Sequence, residues 1–297
     1  MTNELHIFMN PHAGRGAQAE GDALVRAFEA VGVRPVIEPV PGKELEHHIQ
    51  EALKQGSTII GAAGGDGTIS AAANALAGTG ATLLPIPMGT LNHFSKRYGI
   101  TNIDDAVKAF QAQQKLAIAV GSMNDRVFVN NASCGFYPHV VRHRDNMERV
   151  LPRIPAMWLA GFKVLFEFPT MRLDVEFKNR KEHIHTPALW VGIGRNSLRI
   201  PEVGDADVEG RVLEVVSGRA SSRRAVIHLS VRLLHHLRKG LQPQSPNLDV
   251  WRAREFVLDS DHKIDIALDG EAYRLKGPLT FRFLEAHLNV LSLVTPS

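Results

Sequence analysis

The first 113 residues repeat one pattern, a short apolar run, a loop and a helical stretch, and that alternation constrains the fold more than any other feature of the 297-residue chain. Leu5–Met9, Pro35–Ile37, Ser57–Ala62 and Thr82–Ile86 read as strands, and Ala17–Val31, Glu44–Leu53, Thr68–Leu76 and Leu91–Tyr98 read as helices. Strands joined by helices imply a parallel sheet, and such sheets bind ligands beyond the carboxyl ends of their strands. After about residue 114 the pattern changes. Lys115–Val120, Arg126–Ala132, Met171–Lys178, Ala188–Ile193, Val212–Val216, Val250–Leu258 and Lys263–Leu268 are alternating or β-branched runs separated by turns, which predicts a second, mostly β domain. The turn at Ser122-Met123-Asn124-Asp125 puts the boundary near residues 113–122.

Three loops at strand ends carry the chemistry. NPHAGRG at 10–16 follows a strand and opens a helix. Its Gly14, Gly16 and Ala19 fit GxGxxA, and Glu38 lies about twenty residues on, where a ribose-binding acid would fall. Four residues, Asn10–Ala13, separate strand from first glycine, however, whereas a dinucleotide-binding turn passes almost directly from strand to glycine. GGDGT at 64–68 follows an apolar strand and precedes a helix. Glycines let backbone approach phosphate oxygens, a helix start offers N–H donors, and Thr68 could cap the helix or contact phosphate. Asp66 would repel phosphate, which favours a metal-mediated or nucleoside-hydroxyl contact over a direct phosphate one; the structural alternative is a tight strand-to-helix turn in which Asp66 bonds local backbone. PIPMGTLNHFSKRYG at 85–99 repeats the strand–loop–helix arrangement, with Gly89, Thr90 and Asn92 suited to a nucleotide. No GxxxxGK[ST] is present, so this is not a Walker-type phosphate site.

The order NPxxG, GGDGT, PxGTxN and a late DGE resembles the diacylglycerol kinase catalytic-domain family, which includes bacterial soluble lipid kinases and sphingosine kinases. The likeness runs over nearly the whole chain, and GGDGT is shared with the related NAD kinases. The resemblance implies an α/β fold in which an N-terminal Rossmann-like parallel-sheet nucleotide domain, residues 1–118, is followed by a β-sandwich substrate domain, residues 119–285. A cleft would lie between them, and the tail, 286–297, would return to the first. It implies ATP and Mg2+, and transfer of the γ-phosphoryl group to a lipid hydroxyl. Asn10, Gly14, Gly64, Gly65, Asp66, Gly67, Thr68, Thr90 and Asn92 resemble the nucleotide contacts, Asp66 counting also as catalytic, and Glu271 resembles the acceptor of the substrate hydroxyl's proton. Asp269 is either a metal contact or a turn residue, since Asp-Gly is a common hairpin signal, and Glu209 stands where the family's magnesium-binding Asp would. The chain departs from GTxNDxA and GGDGTxNE at His93, Ser95, Ser70 and Ala71, and Tyr137 stands where many relatives carry an acid. Those departures keep open a non-catalytic nucleotide- or lipid-binding protein on the same fold, and the shared GGDGT keeps open an NAD kinase.

Composition narrows the setting. With 44% hydrophobic and 22% charged residues, the chain is neither disordered nor fibrous. Its single cysteine, Cys134, excludes an internal disulfide and reads as a buried thiol rather than a nucleophile paired with His139. His47-His48, His183-x-His185 and His235-His236 lack the spacing of a metal site. Nothing resembles a secretion signal, so the expectation is a cytoplasmic protein. Arg219–Lys239 carries six basic residues and no acid, leaving the rest of a chain of net charge +3 slightly acidic. Its apolar residues suit one helix face, and its charge suits anionic lipid headgroups; without aromatics for stacking, nucleic acid is not expected. Arg149–Phe168, with Trp158, Phe162, Phe166 and Phe168 beside three basic residues, suits a membrane interface, an acyl-chain groove or a core helix. Peripheral contact with an anionic membrane and a lipid substrate bearing a hydroxyl are thus the expected partners; the oligomeric state has no signature.

Overall fold

A computed structural model describes residues 5–11, 17–135, 170–194, 210–218 and 248–294. The chain divides into two units, one containing the residues up to Val120 and from Leu284 onward, the other those from Gly121 to Phe283.

In the first unit the elements alternate: β1 (Leu5–Met9), α1 (Ala17–Glu29), β2 (Pro35–Pro39), α2 (Leu45–Lys54), β3 (Ile59–Gly64), α3 (Asp66–Leu76), β4 (Thr82–Pro87), α4 (His93–Arg97) and α5 (Ile103–Ala112). The sheet order is β2-β1-β3-β4, every pair parallel, with Phe8 beside Ala62 and Ala63 beside Ile86. β3 and β4 are almost wholly buried, as continuous apolar strands covered on both faces must be. Leu24 and Phe28 of α1 are fully buried in a core with Ile7, Ile86 and Leu291, each such side chain contributing about 1.5–3 kcal/mol. The helix α5 has no counterpart in the sequence reading. Asn102 caps it by accepting a hydrogen bond from the Asp105 amide at 2.9 Å, and Asp105 accepts the Thr101 amide and hydroxyl in return.

Prolines 85 and 87 lie inside β4, where a central strand would lose ladder bonds. The register removes the conflict. Met88 donates its amide to Gly64 of β3, so the alternate nitrogens of Pro85 and Pro87 point away from β3. On that other side the neighbouring strand, β16 (Leu279–Leu291), pairs with β4 only at Thr82 and Leu83.

In the second unit two antiparallel sheets pack face to face. One carries β13 (Glu255–Asp259) between the start of β16 and β8 (Met171–Phe177), with β9 (Arg180–Thr186) at the edge and the hairpin of β5 (Lys115–Met123) and β6 (Arg126–Phe128). The other, in spatial order, is β12 (Leu248–Ala253), β11 (Leu213–Gly218), β10 (Ala188–Ile193), β7 (Asn131–Gly135), β14 (Ile264–Leu268) and β15 (Glu271–Leu275). Phe256 stacks on Phe281 at 4.7 Å, and Phe177 meets Trp251 of the facing sheet at 6.2 Å. The run expected as one strand over 250–258 is two, because the chain changes sheets at Arg254. β5 and β16 each begin in one unit and end in the other, and the pairing of Asn289 and Val290 with β4 is how the tail joins the parallel sheet.

Candidate functional site

The end of β1, at Asn10, and the turns after β3 and β4 meet at the carboxyl end of the parallel sheet. Gly65 is the N-cap of the 11-residue helix α3 and brings no capping side chain of its own to the helix's first amides. Thr68 is not the cap expected from the sequence. It lies inside the first turn, 6% exposed, and its Oγ1 accepts a hydrogen bond from Asn10 Nδ2 at 3.2 Å. Asn10 thereby ties the end of β1 to the GGDGT turn, with its own amide bonded to Ala63.

The glycines divide by what surrounds them. A Cβ on Gly64 would lie 2.4 Å from Thr68 Oγ1, and one on Gly89 would lie 2.5 Å from Gly65 Cα. Gly64 therefore makes room for Thr68 within its own turn, and Gly89 lets the second turn pack directly on Gly65 of the first. Gly67 alone of the GGDGT glycines faces open space, with nothing within 4 Å of a built Cβ. Close approach to a phosphate, expected of all of them, has room at Gly67.

Asp66 joins the same two turns. Its Oδ1 accepts the Phe94 amide of α4 at 3.1 Å. The formal N-cap of α4, Asn92, cannot do this, because at φ 52° its side chain turns back to Gly89, accepting the Gly89 amide at 2.9 Å and donating to the Gly89 carbonyl at 2.7 Å. Asp66 thus caps a helix that the PMGTLN loop leaves uncapped. Beyond these ties the loop offers Thr90 and Leu91 to solvent, and Leu91 at 58% is the one large apolar side chain so exposed among the described residues.

The remaining candidates lie in the second unit. Asp269, at φ 48° in the β14–β15 turn, accepts the amides of Val129, Asn130 and Asn131 at 2.8–3.0 Å through its two carboxylate oxygens. Of the two readings left open for it, turn residue and metal contact, the geometry is that of a turn anchor. Glu271 follows at the start of β15, exposed, with Oε2 accepting the Tyr273 hydroxyl at 2.7 Å. The Arg126 guanidinium lies over the Tyr273 ring, 4.7 Å from its centre. Burial first, and then the Glu271 carboxylate, pushes the Tyr273 phenol up to about 12, so it stays a hydrogen-bond donor. Tyr273 and Arg126 were not singled out from the sequence; the signal was the two-residue spacing that puts 271 and 273 on one side of a strand.

Gly14, Glu209, Tyr137 and the stretches Arg149–Phe168 and Arg219–Lys239 lie outside the described residues. Cys134 is buried, and burial with the nearby Asp265 drives its thiol far above the ordinary range. Glu38, the acid of the dinucleotide alternative, lies between His6 and His48, at 3.6 and 3.4 Å from their Nδ1 atoms. His183 contacts Asp174 at 2.6 Å. Among the described residues no group of three or more His, Cys, Asp or Glu side chains could hold a metal ion, and no helix is long and apolar enough to cross a membrane.

Comparison with known proteins agrees with the motifs. Residues 4–123 match the family model of the diacylglycerol kinase catalytic domain. A diacylglycerol kinase of Staphylococcus aureus strain JH9 is 24% identical over 301 aligned positions, covering 98% of this chain and 93% of that one, and the protein of strain Newman gives the same figures. Among solved structures, a diacylglycerol kinase from Bacillus anthracis str. Sterne superposes with a TM-score of 0.69 at 17% identity, covering 98% of this chain and 97% of the other. An NAD kinase from Archaeoglobus fulgidus in complex with ATP superposes at 0.55 with 12% identity, covering 97% and 93%. At these identities the superpositions establish a shared two-domain α/β fold.

Proposed function

We propose, from the kinship of residues 4–123 with diacylglycerol kinase catalytic domains, that this protein is a lipid kinase that transfers the γ-phosphoryl group of ATP to a lipid hydroxyl. The observation that carries the reading is the convergence of the end of β1 and two turns on one end of the parallel sheet: Asn10 on Thr68, Gly65 on Gly89, and Asp66 on the Phe94 amide. Phosphoryl transfer needs mainly positioning and charge neutralisation, and the first amides of α3 beside the open face of Gly67 provide a cradle for phosphate oxygens. Thr90 and Asn92 flank it, and Asn92 acts by holding the loop in shape. Glu271 is the group that would orient and accept the proton of the lipid hydroxyl.

Mg2+ usually binds through one or two carboxylates and the nucleotide's own phosphates, where it neutralises developing charge. Asp66 fits that role, since its bond to Phe94 engages only one oxygen. Asp269 does not, its carboxylate being bound to three amides. Glu209 remains the second candidate. The basic run Arg219–Lys239 would draw the protein to anionic lipid, each basic residue contributing on the order of 1 kcal/mol near such a surface.

Incubation with labelled ATP and a panel of diacylglycerol, ceramide, sphingosine and soluble NAD tests the proposal. Label in a lipid is the expected result. Label in NAD alone overturns it in favour of an NAD kinase, and ATP binding without turnover favours a non-catalytic protein on this fold. Neutralising Arg223, Arg224 and Arg232 together should weaken binding to anionic vesicles and reduce its salt dependence.

A further inference from the structure

Glu271 begins an edge strand. Among the described residues β15 pairs with β14 alone, and Glu271 comes directly after a turn whose two residues, Asp269 and Gly270, both have positive φ. A glutamate in such a place retains most of its rotamer freedom, and a group that must meet one hydroxyl cannot use that freedom. Here the side chain is held. Its Oε2 receives the Tyr273 hydroxyl at 2.7 Å, a short charge-assisted bond from a side chain with only two rotatable angles. The Tyr273 ring is in turn covered by the Arg126 guanidinium at 4.7 Å.

The backbone that carries Arg126 is itself held. It follows the Asn124-Asp125 turn, where the Asn124 amide donates to the Thr280 carbonyl and Asn124 Oδ1 accepts the Thr280 amide. The Asp269 carboxylate supplies a second tether, on the amides of Val129, Asn130 and Asn131 that follow β6. The turn bearing Glu271 is therefore fastened to the β6–β7 segment at two points, one on either side of that residue. The other charge on the strand, Arg274, faces the opposite side of the sheet, 3.8 Å from Asp265, and the residues paired with Glu271 and Tyr273 are Leu268 and Ile266. Among the described residues, the charges recorded against Tyr273 are Glu271 and Arg126.

We propose that Tyr273 and Arg126 are positioning residues: Tyr273 fixes one oxygen of Glu271, Arg126 fixes the ring, and the second oxygen is thereby aimed at the substrate hydroxyl. The inference rests on Glu271 as the proton acceptor. A positioning bond that matters at the moment of transfer affects turnover more than ground-state binding.

The experiment compares wild type, Glu271→Ala, Tyr273→Phe and Arg126→Ala as full chains, with labelled ATP and whichever lipid of the panel is turned over. Tyr273→Phe should lower kcat on the order of tenfold and Arg126→Ala several-fold, with KM for ATP and lipid within about twofold of wild type and unchanged melting temperature. Wild-type kcat in Tyr273→Phe beside an inactive Glu271→Ala overturns this inference and leaves the proton-acceptor assignment standing. Full activity in Glu271→Ala overturns that assignment and the positioning role with it. A readout independent of turnover is the ring carbon bearing the hydroxyl in 13C-labelled tyrosine. Glu271→Gln should move the resonance that Tyr273→Phe deletes, and an unmoved resonance overturns the contact on which the inference stands.

Discussion

Asp66 is a carboxylate set in a turn otherwise suited to an anion, and its bond to the Phe94 amide gives it a structural role. It serves stability and, under the proposed function, chemistry, and two substitutions separate these. Asp66→Asn keeps an oxygen acceptor for Phe94 and should melt near wild type while losing turnover. Asp66→Ala should lose turnover and also about 1 kcal/mol of stability, the usual cost of a lost helix cap. Paired thermal melts and kinase assays check both, and equal melting of the two variants would remove the capping role. The glycines permit a parallel test. Gly89→Ala forces a methyl to 2.5 Å from the backbone of Gly65, which no rotamer change relieves, so the two turns must separate and ATP binding should fall with stability. Gly67→Ala meets nothing and lies in the first turn of a helix, so stability should hold or rise slightly. A loss of ATP affinity in Gly67→Ala at unchanged stability, read by calorimetry, would place the phosphates on that open face.

At the scale of elements, the parallel half was legible because every strand there is an apolar run ending in a glycine or proline turn, and the motif loops lie where those turns fall. The loops' internal design was not legible. That Gly65 and Gly89 face each other, or that Asp66 caps a helix 28 residues on, depends on which loops become neighbours. In the β half, β9 and β15 do not read as strands because β9 has Ile184 as its one apolar residue and β15 flanks Ala272 and Tyr273 with Glu271 and Arg274, so neither edge strand makes an apolar run. α5 shows a local signal that was available. Asn102 followed three residues later by Asp105 is close to a capping box, and Asn102→Ala should cost about 1 kcal/mol, read in a thermal melt. The Asp105 carboxylate is held below the usual range, first by the Thr101 hydroxyl and also by the Thr101 amide and Lys108. A lowered value in the folded state means that the charged form favours folding. Its stabilisation is complete above the unfolded value, about 3.9, and is lost as pH falls through the lower folded one. Since the bonds belong to a surface turn the effect is small, and amide exchange at the start of α5 should quicken there before the core opens.

Over the whole molecule, the chain's last long strand does what neither unit could do from contiguous sequence. β16 starts against β13, with Phe281 beside Phe256, and ends against β4, with Val290 beside Leu83. In the first unit the tail brings three buried side chains, Leu288, Val290 and Leu291. It also bonds the Gly78 amide through the His287 carbonyl, the Gln114 carbonyl through the Ser292 amide, and the Tyr98 carbonyl through the Leu293 amide. Burial of those three side chains alone amounts to roughly 5–9 kcal/mol, the size of a typical domain's whole net stability of about 5–15 kcal/mol. The parallel sheet with all three motif loops is therefore not self-sufficient, although residues 1–120 contain every one of those loops. Expressed alone, that fragment should show no cooperative melt by circular dichroism. In the full chain, Leu291→Ala should cost about 2–5 kcal/mol, because the cavity opens in the core that also holds Ile7 and Ile86. A fragment that melts cooperatively near the full-chain temperature would show that the tail merely covers the sheet. Failure of the fragment, with Leu291→Ala folded but destabilised, would show that the strand closing the first unit's core is supplied by the part of the chain that has just passed through the other unit.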